Sequence, residues 1–295
     1  MKTSDLIELE TEERVVVRPG LQPARTLFAA GMIGLGVLAL VYGDFAMVWQ
    51  PVATWVPGRT ALAYGSGVLM LVCGAGLLFR ASARWAVRVL FPYLIVWALL
   101  KVPALMMGPQ HEGNWLGLGE LTVLLSGGWV LFARLSGLPP QGRGPVPGDP
   151  GLPPQGRGPV LGDPGVRWRV VTGDRGVRWA TILFGVSLVP IGLSHFVYAK
   201  ETFGLVPPWL PFRGIWVYVT GVGHIAAGVG VLVRVLPGVA ATAEACMISL
   251  FTLLCWLPMV VTTPKVRLGW TAFFISWAIA SAAWVVAARG PGTRE

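Results

Sequence analysis

Eight runs of mostly apolar residues succeed one another along the chain, near 26–43, 60–79, 85–107, 115–134, 178–197, 213–233, 238–260 and 268–288. A helix needs about 20 such residues to cross the hydrocarbon of a bilayer. The pattern therefore predicts an all-α integral membrane protein with eight transmembrane helices. Pro92, Pro103 and Pro258 fall within or at the ends of the third and seventh runs and predict kinks there, since proline frees a carbonyl one turn back. The apolar pattern stops between the fourth and fifth runs. Residues 138–151 read LPPQGRGPVPGDPG and residues 152–165 read LPPQGRGPVLGDPG, a tandem repeat differing only at Pro147 and Leu161. Such Pro/Gly density builds neither a helix nor a core, so the stretch reads as a flexible cytoplasmic linker. The domain reading is an N-terminal cytoplasmic tail (1–25), a first four-helix membrane bundle (26–137), the linker (138–176), a second bundle (177–289) and a cytoplasmic tail (290–295).

Composition supports the class and fixes an orientation. Hydrophobic residues make up 54% of the 295 and charged residues 13%, about half the charge of a soluble domain. That excludes a soluble enzyme, a disordered chain and a secreted disulfide scaffold. The net charge of +9 is explained by topology. Of the Lys and Arg residues, seventeen fall on the side holding both termini and the central linker, and six on the other. This positive-inside bias places both termini in the cytoplasm and removes the case for a nucleic-acid partner. The first twenty residues carry Asp5, Glu8, Glu10, Glu12 and Glu13 and lack the apolar run of a secretory signal, so they read as a cytosolic tail. The repeated GVRW at 165–168 and 176–179 suits the cytoplasmic membrane surface.

The two halves resemble each other. At an offset of 154, Trp55, Pro57, Arg59, Tyr64, Gly67 and Arg80 align with Trp209, Pro211, Arg213, Tyr218, Gly221 and Arg234. Four spans per half make this a parallel repeat, both halves pointing the same way. The second half carries GLSHFVY (192–198), GLVPPWLP (204–211), WVYVTG (216–221) and HIAAG (224–228). By these strings it resembles the DoxX-like family of four-span bacterial membrane proteins over roughly 178–288. The first half resembles a divergent copy, with YGDFAMVWQP (42–51) replacing the histidine segment and Asp44 taking the place of His195. The resemblance implies a helical bundle in the bacterial inner membrane. Some relatives are linked with quinone-dependent sulfur oxidation or redox-stress complexes, so the cofactor it admits is a quinone.

An ionisable residue at membrane depth is a functional hypothesis by default. His195 and His224 are the leading pair, placed to share a proton path, a ligand or a metal, against the blander reading of histidines bonded to a carbonyl or to Tyr218. His224 lies about 16 Å along the sixth run from Arg213 at 1.5 Å per residue, so the two histidines are expected at different depths. Asp44, Lys101 and Glu120 are expected near the outer side, converging on a polar pocket of the first bundle or pairing as Asp44–Lys101 or Glu120–Lys101. Glu244 has no basic residue within reach on its own span. Trp55, Pro57, Trp209 and Pro211 read as anchors of stiff outer loops that cap each bundle. Cys73, Cys246 and Cys255 read as separate thiols without a CxxC motif. The glycines follow no strand and read as helix-packing positions.

No HExxH, GxSxG or phosphate-loop pattern occurs, and two histidines without a carboxylate or Cys at ligand spacing make a weak metal signal. The reading therefore leans away from an enzyme. Three functions stand: a non-catalytic membrane subunit assembling with a membrane or redox protein partner, a quinone-linked redox subunit, and a binder or carrier of a small lipophilic molecule.

Overall fold

A computed structural model describes residues 20–136 and 171–288. Residues 1–19 of the expected N-terminal tail, the tandem repeat and the C-terminal tail lie outside the described residues. Helices α1 (Leu21–Tyr42), α2 (Arg59–Leu78), α3 (Arg80–Met107) and α4 (Glu112–Leu135) form the first half. The second half holds α5 (Gly173–Val197), a short α6 (Ala199–Leu205), α7 (Arg213–Leu232), α8 (Pro237–Phe251), α9 (Leu257–Thr262) and α10 (Arg267–Ala287). A π-helical segment, Thr252–Trp256, joins α8 to α9 into one long helix. Eight helices, counting that joined one, are long and apolar enough to cross a membrane. The eight expected spans are all present. The largest differences are at the starts of α1, α3 and α5, each beginning about a turn and a half earlier than the apolar pattern suggests. Those turns carry Arg25, Arg80, Arg84 and Arg175, which an apolar ruler trims although the helix continues toward the interface.

Contacts within each half run in chain order, α1–α2–α3–α4 and α5–α7–α8–α10. The packing differs from two self-contained bundles at one point. The first helix of each half packs against the last helix of the other, α1 on α10 and α5 on α4, while α4 and α10 pack together between them. One continuous apolar core results, drawing on both halves.

Apolar side chains have no hydrophobic preference for each other over lipid, so close packing and hydrogen bonds must hold such helices together. Glycine allows the packing. A methyl group at Gly127 would lie 2.7 Å from the Cα of Ala282 across the α4–α10 seam. One at Gly36 would lie 2.7 Å from the Gly67 carbonyl oxygen, and one at Gly192 would lie 2.6 Å from that of Gly221. Hydroxyls and indoles add bonds at the crossings between halves, with Thr122 and Ser187 oxygens 2.7 Å apart and Trp277 Nε1 donating to the Leu27 carbonyl at 3.0 Å.

The two halves also contain pairs of residues that make the same local bonds. Arg59 Nε donates to the Val52 carbonyl at 3.2 Å, and Arg213 Nε donates to the Val206 carbonyl at 2.9 Å. Trp115 Nε1 donates to the Pro109 carbonyl at 2.9 Å, and Trp270 Nε1 donates to the Pro264 carbonyl at 2.8 Å.

Gly192→Ala should lower stability by about 1–3 kcal/mol, because the added methyl would meet both the Gly221 carbonyl and the Ile225 side chain at 2.6 Å, and the carbonyl cannot move aside. Gly65→Ala, with nothing within 4 Å of the added carbon, should leave it unchanged. Melting temperatures of the two detergent-purified variants distinguish these outcomes.

Candidate functional site

The end of the molecule opposite the α1 N-terminus holds the polar residues of interest. There the chain leaves α5, turns through α6, and enters α7 only at Arg213. Arg213 bonds to the Val206 and Phe203 carbonyls, so the first turns of α7 rise beside α6, beyond the end of α5. This geometry overturns the expectation that the two histidines lie at different depths. His195, near the α5 C-terminus, and His224, well inside α7, have ring centroids 5.1 Å apart. Counting from Arg213 as though α5 and α7 began level overlooked the extra height that α6 supports.

Each histidine is oriented through its Nδ1. His195 Nδ1 lies 3.0 Å from Thr220 Oγ1. The Thr220 hydroxyl lies 2.8 Å from the Trp216 carbonyl and 3.0 Å from that of Val217, so its one proton is directed to backbone. Its oxygen must then accept from His195 Nδ1–H, leaving Nε2 of that ring as an acceptor. His224 Nδ1 lies 2.6 Å from Glu244 Oε1. Glu244 is only 1% exposed, and its second oxygen has no partner among the described residues. The partner sought for Glu244 is thus a histidine on the neighbouring helix. One proton is held between His224 Nδ1 and Glu244 Oε1; with it on Nδ1 the ring accepts at Nε2, and with it on the carboxyl the ring carries its N–H at Nε2 and donates there.

Both histidines line a cavity of about 340 Å³ at the junction of the two halves. Its walls are apolar for the most part, including Ile191, Met247, Phe251 and Ile275, with Thr220, Thr271, Ser276 and Glu120 among the polar exceptions. Glu120 reaches it from α4 and accepts from Trp49 Nε1 at 3.3 Å. Residues Met47 and Val48 of the first half complete the wall. Val48 has φ 71°, a left-handed conformation disfavoured for a β-branched residue.

The other candidates fall elsewhere. Asp44 lies outside the helices, whereas His195 lies within α5. Gly36 and Gly192 make matching contacts, each against a glycine carbonyl of the next helix. Asp44 lies beyond the end of α1, ion-paired with Arg59 and, at 2.9 Å, with Arg267. Burial opposes its ionisation, but Arg267, the Phe45 amide and Arg59 outweigh that and hold the carboxyl below its ordinary range. Arg267 Nη2 also donates to the Phe45 carbonyl at 2.9 Å, so the clamp ties the two halves together. Lys101 lies beside Gly117, and its charge interacts with Glu120 without a direct ion pair to Glu120 or Asp44. Trp55 and Trp209 are 81% and 67% exposed, on the loops preceding α2 and α7. Pro211 accepts from Trp216 Nε1 at 2.9 Å, and Pro57 lies in the turn before α2. No group of three His, Cys, Asp or Glu side chains among the described residues is arranged to hold a metal.

Sequence reasoning missed Thr220, Trp49 and Gln50 as internal residues. Gln50 Nε2 donates to Ser66 Oγ and Tyr93 OH at 2.8 Å each, and Gln50 Oε1 accepts from the Ala46 amide at 2.8 Å. At the offset of 154 Ser66 falls opposite Thr220, which was the available signal for that residue.

A family model described as a domain of unknown function (DUF8561) matches residues 184–285, a segment that contains His195, Thr220, His224 and Glu244. No curated protein and no solved structure matches the chain.

Asp44→Asn should cost about 1–2 kcal/mol, the worth of charge-assisted bonds on a partly exposed group. A carboxyl whose folded-state pKa is depressed stabilises fully above its unfolded value of about 3.9 and loses that contribution as pH falls through the folded value. Wild type should therefore lose stability more steeply than the Asn variant below about pH 4, read as melting temperature against pH.

Proposed function

We propose that this multi-pass membrane protein binds a small lipophilic molecule in the cavity between its halves, and acts as its carrier or membrane receptor. The observation that carries this reading is the cavity itself. It is apolar on most sides and has two oriented imidazoles whose Nε2 atoms have no partner among the described residues. Ligand sites commonly combine such walls with a few placed polar groups. A non-catalytic assembly role needs no such cavity, and a quinone-linked redox role is the special case in which the occupant is a quinone. The DoxX-like resemblance of the second half is compatible with both.

The positive-inside bias supports cytoplasmic termini in a bacterial inner membrane. With that orientation the cavity lies in the outer half of the bilayer. An apolar ligand body would take up the space beside Phe251, Ile275 and Ile191. Its polar head would meet His195, which accepts, and His224, which accepts or donates. Glu120 supplies a further polar contact from the first half.

Ala272 lines the cavity and is only partly buried, so Ala272→Phe should fill it without touching the histidines. Mass spectrometry of lipophilic molecules extracted from the purified protein should find a retained species in wild type. The filled variant should retain about tenfold less, and His195→Ala should retain less as well, by the loss of one hydrogen bond to a desolvated head. A quinone in the extract assigns the site to redox chemistry. Equal retention by the filled variant, or no retained species in any form, contradicts the reading.

A further inference from the structure

The cavity has a counterpart in the first half that the chain fills with its own side chains. The offset between halves is 156 in α1 and α5, where Gly36 matches Gly192, since each meets a glycine carbonyl of the next helix. It is 154 through α2–α3 and α7–α8, where Arg59 matches Arg213 by their common bonds. It becomes 155 in α4 and α10, where Trp115 matches Trp270. The single-residue step falls at the π-helical segment Thr252–Trp256, since a π turn holds one residue more than an α turn. Gly127 and Ala282, which match at 155, meet across the α4–α10 seam, as expected at a pseudo-twofold axis.

With these offsets, cavity wall maps onto cavity wall. Met70, Tyr93, Leu94, Trp97 and Leu124 line a first-half space. Their counterparts His224, Met247, Ile248, Phe251 and Ile279 line the second-half cavity. The first-half space is only about 10 Å³ and the second-half cavity about 340 Å³. The difference is the loop after α1. It turns Trp49 and Gln50 inward, 3% and 7% exposed, and the Gln50 carboxamide bonds to Ser66 and Tyr93. The corresponding second-half loop forms α6 and contributes Thr202 and Leu205 to the cavity wall.

We propose that the two halves carry one duplicated binding site, that the first half fills its copy with Trp49 and Gln50, and that the second-half copy takes a ligand of the same chemistry: a flat aromatic ring with an uncharged carboxamide-like head. This deepens the binding function proposed above and rests on it. The head matches at both ends. A carboxamide donates through nitrogen and accepts through oxygen. His195 Nε2 offers the acceptor, and His224 Nε2 offers the donor in the tautomer whose Nδ1 accepts from the Glu244 carboxyl. The ring matches Phe251 and Met247, where the first half sets Trp49 close to Trp97 and Tyr93. A charged head is disfavoured, because a carboxylate at this depth pays a desolvation cost that Gln50 avoids.

The test uses full-length protein in detergent and four probes measured by equilibrium dialysis: indole-3-acetamide, indole-3-acetate, 3-methylindole and decanol. Indole-3-acetamide should bind at one site per chain, and the other three at least about tenfold more weakly, for want of a matched head or ring. Thr220→Val, which frees the His195 ring, should weaken indole-3-acetamide binding. The Trp49→Ala/Gln50→Ala double variant should gain a second site of similar affinity. If that variant does not fold, Gln50→Ala alone should melt lower than wild type and recover on adding indole-3-acetamide. Tight decanol binding with weak indole-3-acetamide binding overturns the ligand class while leaving a lipophile site in place. One site only in the folded double variant, or no recovery of Gln50→Ala, overturns the duplication. If no probe binds and no lipophile co-purifies, both readings fall.

Discussion

Inside a bilayer no water is at hand to satisfy a polar group, so each one must find its partner within the protein. This constraint organises the molecule. Gln50 is held by Ser66, Tyr93 and the Ala46 amide, and His224 by Glu244. His195 is held by Thr220. Asp44 draws two arginines, one from each half. What stays unpaired at depth is correspondingly informative. Both imidazole Nε2 atoms open on the cavity without a partner among the described residues, and Glu244 Oε2 is buried without one.

The seam between α4 and α10 makes that cavity possible. Gly127 and Ala282 bring two backbones close enough for the last helix of each half to serve both halves. Glu120 on α4 therefore lines the same cavity as the histidines of the second half, and its Oε2 accepts from Trp49 of the first-half loop. One side chain thus borders both the filled position and the open one. Val48, strained at φ 71°, sits in the same loop between them. Strain of this kind persists only where the surroundings over-determine it. Here those surroundings are the inward turn of Trp49 and Gln50.

Fold class was legible because hydropathy reports what contacts lipid, and eight runs gave eight spans. The starts of α1, α3 and α5 were less so, since basic first turns look like loop to an apolar ruler. The candidate site was half legible. The histidines were identified by their cost at depth, but their proximity depends on how far α7 overshoots α5, which no spacing along one helix encodes. Asp44 and Arg267 are 223 positions apart, and His224 and Glu244 lie on different helices. Such pairs become visible only when the order of helices around the core is known. The loop running from Trp49 to Pro57 read as an outer lid, yet Trp55 points outward while Trp49 and Gln50 enter the core. Aromatic and amide residues near an interface suit either side of it, so composition did not decide.

The central claim is that the second-half cavity, with His195 and His224 as its polar wall, is a ligand site. The most direct measurement is an electron cryomicroscopy map of the protein extracted in its native lipids. The account predicts non-protein density between α5, α7 and α10, within hydrogen-bonding distance of Nε2 of His195 or His224. A cavity closed by Phe251 and Ile275 against those rings, with no density beside either histidine, would contradict it.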